Sequence, residues 1–357
     1  MDITEAAMSE ALLEVTDLKT YFNTSHGTVR SVDGVSFTLQ RGKSLGIVGE
    51  SGSGKTVLSR SVMGLLPPAN IYRDGAVRFA GIDLVQASAE QLRQIWGAQI
   101  SMVFQDPMTA LNPVVRIGRQ ITESLRFHLG MTRQDAKETA IALLRSVGIP
   151  EPEERMRWFP HQFSGGMCQR IVIAVALACG PKLVLADEPT TGLDVTVSAQ
   201  ILDLLGRLQQ ERFMSMIIVT HDLGVVSGRC DDVAVMYAGK IVEKAPTATL
   251  FRDMKMPYTE ALLRSAPRLS NPSHTRLPTI PGNPPNPTDL PSGCRFAARC
   301  TYAQPRCRQE EPPLRPASTP DHVYACWYPV GTPEGEEALA RNKSLGISVS
   351  ETVGASF

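Results

Sequence analysis

Gly49-Glu50-Ser51-Gly52-Ser53-Gly54-Lys55-Thr56 follows an apolar run at residues 44–48 and precedes a helical pattern at residues 56–66. The spacing is G-x-x-x-x-G-K-T. Its glycines let successive backbone N–H groups turn toward phosphate oxygens, Lys55 supplies a point charge, and Thr56 is a Mg²⁺ ligand. A Gly-rich turn alone would be unremarkable. A buried strand before it and a helix after it, opening through Val57, aim a positive helix end at the same phosphates. A second segment, Lys182-Leu183-Val184-Leu185-Ala186-Asp187-Glu188, ends an apolar run in two carboxylates. At a strand's C-terminal tip, Asp187 can hold Mg²⁺ and Glu188 can polarise an attacking water. An isolated Asp-Glu pair would read as a solvated loop; beside a phosphate loop it reads as a hydrolytic pair.

Between these segments lies Phe163-Ser164-Gly165-Gly166-Met167, ahead of a helical pattern at 167–179. A hydroxyl and free N–H groups at a helix start suit an anion. Taken alone, the same residues are an N-cap.

The bulk properties constrain partners. With 36 basic and 36 acidic residues the formal net charge is zero. No bulk charge therefore draws the chain to nucleic acid or to an anionic membrane surface. The apolar run at 171–179 is about half the roughly 20 residues a spanning helix needs. The acidic first ten residues lack a basic n-region and an apolar h-region. A cytoplasmic protein is expected.

Along the chain, residues 12–40 alternate apolar and polar positions, as an antiparallel β layer does. After a break at 75–81, residues 88–148 read as helix-rich, the start of a helical subdomain over about 88–180. Apolar runs at 183–186, 217–220 and 233–236 alternate with helical pattern, which predicts a mostly parallel sheet and an α/β fold. Six prolines (Pro278, Pro281, Pro284, Pro285, Pro287 and Pro291) mark an extended linker. Residues 1–11 are expected to be flexible, and residues 331–357 disordered or a loosely attached helix.

The order of these segments resembles the ATP-binding cassette (ABC) ATPases, over about residues 12–250. The resemblance implies a P-loop NTPase core with a RecA-like sheet, an antiparallel β layer and a helical subdomain, binding ATP and Mg²⁺. It also implies roles. Phe22 is similar to the aromatic that stacks on adenine, with neighbouring Tyr21 as the other candidate. Gln105 is similar to the loop glutamine that reaches Mg²⁺ and the γ-phosphate, and His221 to the switch histidine. Asp194 is similar to the acidic end of the loop joining two cassettes. In that family Ser164, Gly165 and Gly166 contact ATP held by a second cassette, at its equivalents of Gly49, Ser51, Gly52, Ser53, Gly54, Lys55, Thr56 and Val57. Two departures stand out: Met167 replaces the commonest signature glutamine, and Cys168 replaces a basic or polar residue. Outside the family Phe22, Gln105 and His221 would be a core aromatic, a surface amide and a turn histidine.

Residues 104–113 (Phe-Gln-Asp-Pro-Met-Thr-Ala-Leu-Asn-Pro) and Met256-Pro257-Tyr258-Thr259 resemble dipeptide and oligopeptide importer ATPases. So does the tail. Four of the seven cysteines, Cys294, Cys300, Cys307 and Cys326, follow Pro281-Gly282-Asn283-Pro284-Pro285. A reducing compartment argues against two disulfides there. A metal centre is the better reading, with zinc and uncoordinated thiols as the alternatives. Zinc sites usually present close Cys-x₂₋₄-Cys pairs, which this spacing lacks. The resemblance implies a [4Fe–4S] cluster on all four thiolates, and Arg295, Arg299, Arg306 and Arg308 are expected to offset its charge.

The expected organisation is a cassette over 12–255 and a small Cys-rich C-terminal domain over 256–330. The implied function is the ATPase of a peptide importer at the cytoplasmic face of the cell membrane. Its implied partners are two transmembrane permeases, a second homologous ATPase and an extracytoplasmic peptide-binding protein. Import of nickel complexes or another small solute is one alternative, and a soluble cassette acting on ribosomes or nucleic acid another. A regulatory cassette that scarcely hydrolyses ATP is opposed by the intact Glu188 and His221.

Overall fold

A computed structural model describes residues 11–67, 69–265 and 279–346. Most of the expected flexible N-terminus, Pro278 and residues 347–357 lie outside the described residues.

Two sheets make the framework. The first is antiparallel, in the order β2-β1-β4-β5, from β1 (Ala11–Thr24), β2 (Gly27–Gln40), β4 (Ile71–Phe79) and β5 (Ile82–Asp83). This is the β layer expected over residues 12–40, and it continues into the stretch read as a break. Gly75 lies inside β4 at φ 89°, where a Cβ would come within 2.4 Å of the Asp17 carbonyl oxygen. The glycine is there for a close strand crossing as well as for its dihedral.

The second sheet has the order β11-β12-β10-β9-β3-β8-β7-β6. Its centre is β3 (Ser44–Val48), flanked in parallel by β8 (Ser215–Thr220) and β9 (Asp232–Tyr237); β7 (Leu183–Asp187) and β6 (Ile100–Val103) continue it in parallel. The continuous apolar runs follow from burial on both faces. Along β7, Leu183 and Leu185 enter one core while Val184 and Ala186 enter the other; Ile217 and Val219 of β8 part from Met216 and Ile218 in the same way. The two-residue period of a strand thus divides one run between two layers.

Helices Ile117–Leu129, Arg133–Ser146 and Gly165–Ala176 fall in the stretch read as a helical subdomain and contribute to one core cluster. The stretch read as helix-rich also contains β6. Four residues give too short a run to separate strand from helix by periodicity, and pairing with β7 decides the outcome.

The tail differs from the sequence reading in three ways. It does not stand apart: the hairpin β11 (Arg315–Pro316) and β12 (Val323–Tyr324) adds antiparallel to β10 (Lys240–Pro246), so the tail extends the central sheet. The segment from residue 279 to Pro291 is extended as expected, yet it packs: the Arg30 N–H donates to the Pro287 carbonyl. Beyond Val330, helix Pro333–Ser344 is anchored, because Asn342 donates to the Thr301 and Ala303 carbonyls and accepts from Gln304. A polar helix of this composition carries little apolar signal; its buried asparagine holds it.

Glu243 of β10 and His322 of the tail are fully buried and meet at 2.8 Å, while Glu243 also accepts the Lys255 and Met256 N–H groups. Glu243→Ala strands both N–H donors without water. It should cost about 3 kcal/mol of stability, read as a lower urea midpoint; an unchanged midpoint would show that water replaces the carboxylate.

Candidate active site

The phosphate loop joins β3 to helix Lys55–Met63. Gly54 is the N-cap at φ 98°, and a Cβ there would lie 2.0 Å from the Ser31 carbonyl oxygen, so only glycine closes this turn. Lys55 is 4% exposed, and its ammonium donates to the carbonyls of Gly49 (2.8 Å) and Glu50 (3.0 Å). Ser51 and Gly52 are exposed at the loop's tip, and Val57 packs against the second core. The Ser53 hydroxyl is buried with no hydrogen-bond partner. An orphaned hydroxyl beside a lysine fits an anion that completes the loop.

Strand β7 delivers the carboxylates. Asp187 is 2% exposed, and its Oδ1 accepts from the Thr56 hydroxyl at 3.1 Å. Burial pushes the Asp187 carboxyl up and the Lys55 ammonium down. Nearby opposite charges only partly offset that burial, so the Asp187–Thr56 pair can take a cation and Lys55 an anion. This donor set fits Mg²⁺ and a nucleotide phosphate.

Glu188 turns out of the strand with φ 44°, a left-handed conformation unusual for glutamate. Its Oε2 receives the Gln105 amide at 3.1 Å and the Thr191 hydroxyl at 2.9 Å, and lies 3.6 Å from His221 Nδ1. Gln105, Glu188 and His221 follow the C-terminal ends of β6, β7 and β8, the edge where open α/β sheets build their sites. Thr191 had no signal in the sequence; its role comes from the turn after Glu188.

On β1 the two aromatic candidates separate. The Tyr21 hydroxyl donates to Asp33, which also pairs with Arg295, and its ring stacks on Tyr72. The Thr20 hydroxyl bonds Ser61 of the helix behind the phosphate loop. Phe22 shares that face by the strand period, and Tyr21 takes the other.

A second group stands elsewhere. Ser164 caps helix Gly165–Ala176 by accepting the Met167 N–H, and Asp194 caps helix Val195–Glu211 by accepting the Val197 N–H. The two helix starts touch: a Cβ on Gly166 would come within 2.7 Å of Val197 Cγ1. Ser164, Gly165 and Asp194 are exposed, and Val195 is 88% exposed. Among the described residues no hydrogen bond joins this group to the phosphate loop of the same chain. Met167 is half-buried and receives the Arg155 guanidinium at its sulfur; Cys168 is buried, its thiol directed at the Pro160 carbonyl.

In the tail, Cys294, Cys300, Cys307 and Cys326 line one small cavity with Met256, Ala297 and Tyr302, and none forms a disulfide. Burial raises all four thiols, with their mutual repulsion adding to it at Cys294 (to about 11), Cys300 and Cys326 (to about 12). The Tyr302 N–H already points at Cys300 Sγ, 3.4 Å away. Among the described residues, no group of three or more His, Cys, Asp or Glu is disposed to hold a metal ion. The arginines are used differently from the expectation. Arg295 pairs with Asp33 and Arg299 with Glu50, so both serve the cassette; Arg306 and Arg308 favour the Cys307 thiolate.

Comparisons with known proteins agree with this geometry. The ABC transporter family matches residues 32–191, and the oligopeptide/dipeptide transporter C-terminal region matches residues 242–307. The oligopeptide transport ATP-binding protein OppD of Bacillus subtilis is 49% identical over 313 residues, 87% of each chain. The dipeptide transport ATP-binding protein DppD of the same organism is 48% identical over 319 residues, 89% of this chain and 95% of that one. Among solved structures, the dimeric ATP-binding cassette MJ0796 in a post-hydrolysis state with ADP and Pi aligns with a TM-score of 0.59 at 25% identity, covering 66% of this chain and 98% of that one.

Proposed function

Because the chain belongs to the ATPase subunits of oligopeptide and dipeptide ABC importers, we propose that it hydrolyses ATP with Glu188 as the group that polarises water, in a dimer with a second cassette. The observation that carries this reading is the convergence of Gln105, Thr191 and His221 on one oxygen of Glu188, beside Lys55 and the Asp187–Thr56 pair. Those donors hold the second carboxylate oxygen free to accept a proton from water. Lys55 exchanges its loop carbonyls for phosphate oxygens, and Ser53 gains the partner it lacks. Phe22 stacks on the base. Thr56 and Asp187, with Gln105 nearby, would hold Mg²⁺, which would supply neutralisation of phosphate charge. His221 holds the γ-phosphate.

The exposed Ser164, Gly165 and Asp194, with half-buried Gly166 beside them, support a composite site, in which this surface meets nucleotide on a second cassette. Closure of that dimer would drive two transmembrane permeases that receive peptide from an extracytoplasmic binding protein, with this chain on the cytoplasmic face of the membrane. Among the described residues no helix is long and apolar enough to cross a membrane. Nearly equal identity to OppD and DppD leaves peptide length undivided, and the matching C-terminal region favours peptides over nickel complexes.

The four thiols are proposed to hold a [4Fe–4S] cluster. Four sulfurs lining one small cavity and an N–H directed at Cys300 support it. The cluster would supply cross-linking of the tail.

Phosphate release by the chain co-purified with its permeases should rise several-fold when peptide-loaded binding protein is added. Turnover indifferent to peptide, or a complex lacking permeases, would sink the importer reading.

A further inference from the structure

Glu50 is a carboxylate inside a loop built to hold phosphate, and unpaired it would repel the ligand. Arg299 of the tail prevents that. Its guanidinium grips Glu50 by both nitrogens, Nη1 to Oε2 at 2.6 Å and Nη2 to Oε1 at 2.8 Å. The arginine is 4% exposed, its Nε donates to the Pro281 carbonyl, and it lies over the rings of Tyr237 and Phe296. The remaining polar groups of Glu50 are also held: its N–H donates to the Tyr258 hydroxyl at 2.8 Å, and its carbonyl accepts from Lys55. Cancelling the charge of Glu50 and holding its N–H are therefore both delegated to residues C-terminal to β10.

We propose that Arg299 is a positioning residue for nucleotide binding: seated in the cassette, the tail neutralises and fixes Glu50, so that ATP affinity depends on the tail. This rests on the chain being an ATPase and not on what the thiols bind. Because Cys300 follows Arg299 directly and lines the thiol cavity, a disturbance of that cavity reaches the phosphate loop through one peptide bond.

The test compares Arg299→Gln, Glu50→Gln and the double variant in the permease complex, measuring affinity for trinitrophenyl-ATP with Mg²⁺ and the KM and kcat for ATP. A bare carboxylate next to bound phosphates weakens affinity by about tenfold, and removing that carboxylate returns it to within about threefold of the native value. Glu50→Gln alone, which leaves every tail residue in place, binds at least as tightly as the native chain. Three outcomes would overturn the proposal: unchanged affinity in Arg299→Gln, a double variant as weak as Arg299→Gln, or tenfold weaker binding in Glu50→Gln. A merely structural arginine gives the second of these. Hydrolysis by the native complex at saturating ATP, recorded alongside, separates failure of this proposal from failure of the ATPase reading.

Discussion

Glu188→Gln should leave ATP binding within about twofold of native and slow turnover by roughly a thousandfold. The substitution keeps shape and volume, and the side-chain oxygen can still accept from Gln105 and Thr191, so the backbone turn at φ 44° stays in place. What disappears is the basic oxygen that takes a proton from water. Lys55, Thr56 and Asp187, the groups proposed to carry ground-state binding, are untouched, so kcat should fall while KM for ATP does not. Single-turnover phosphate release in the permease complex, alongside equilibrium nucleotide binding, measures both. Turnover within tenfold of native would move the water-activating role from Glu188 to another group.

With the proposed cluster in place, Cys300→Ser is expected to reduce iron and sulfide from about four each per chain to trace levels and abolish the visible absorption of anaerobically purified protein. Serine is a poor ligand, and three remaining thiols cannot close a four-thiolate site. The damage should spread. Cys326 lies two residues after β12, and Cys294 and Cys300 pack against the core that contains Phe296 and Tyr324. Limited proteolysis should then cut within residues 294–326 of the variant and spare the native chain. Native protein without iron, or a variant that retains it, would return the four thiols to packing residues.

The nucleotide site was legible because its chemistry is local. Eight consecutive residues specify the phosphate loop, and Asp187-Glu188 declare themselves by ending an apolar run. Long-range partners were not legible. Arg295 and Arg299 sit among cysteines in the sequence and read as charge balance for them, yet they pair with Asp33 and Glu50, 262 and 249 residues earlier. Nothing in a spacing encodes such a match. The same holds for β6, whose four residues become a strand by pairing with β7, and for Asn342, which anchors a helix whose own composition promised none. Preferring Phe22 to Tyr21, as proposed, needs the side of β1 on which each falls, which the contact of Thr20 with Ser61 suggests and no spacing encodes.

The separation between Glu50 and Arg299 also sets an order in time. A chain leaves the ribosome from its N-terminus at about 5–20 residues per second, so the 249 residues that separate this pair take roughly ten to fifty seconds to make. Late in that interval, once β8 and β9 have been made to flank β3, the phosphate loop and its helix can form while the arginine that quiets Glu50 is still missing. The newborn cassette would meet cellular ATP with a repelling charge in its cradle, and full affinity would arrive only with the last fifth of the polypeptide. Completion of synthesis would thus act as the licence for nucleotide capture.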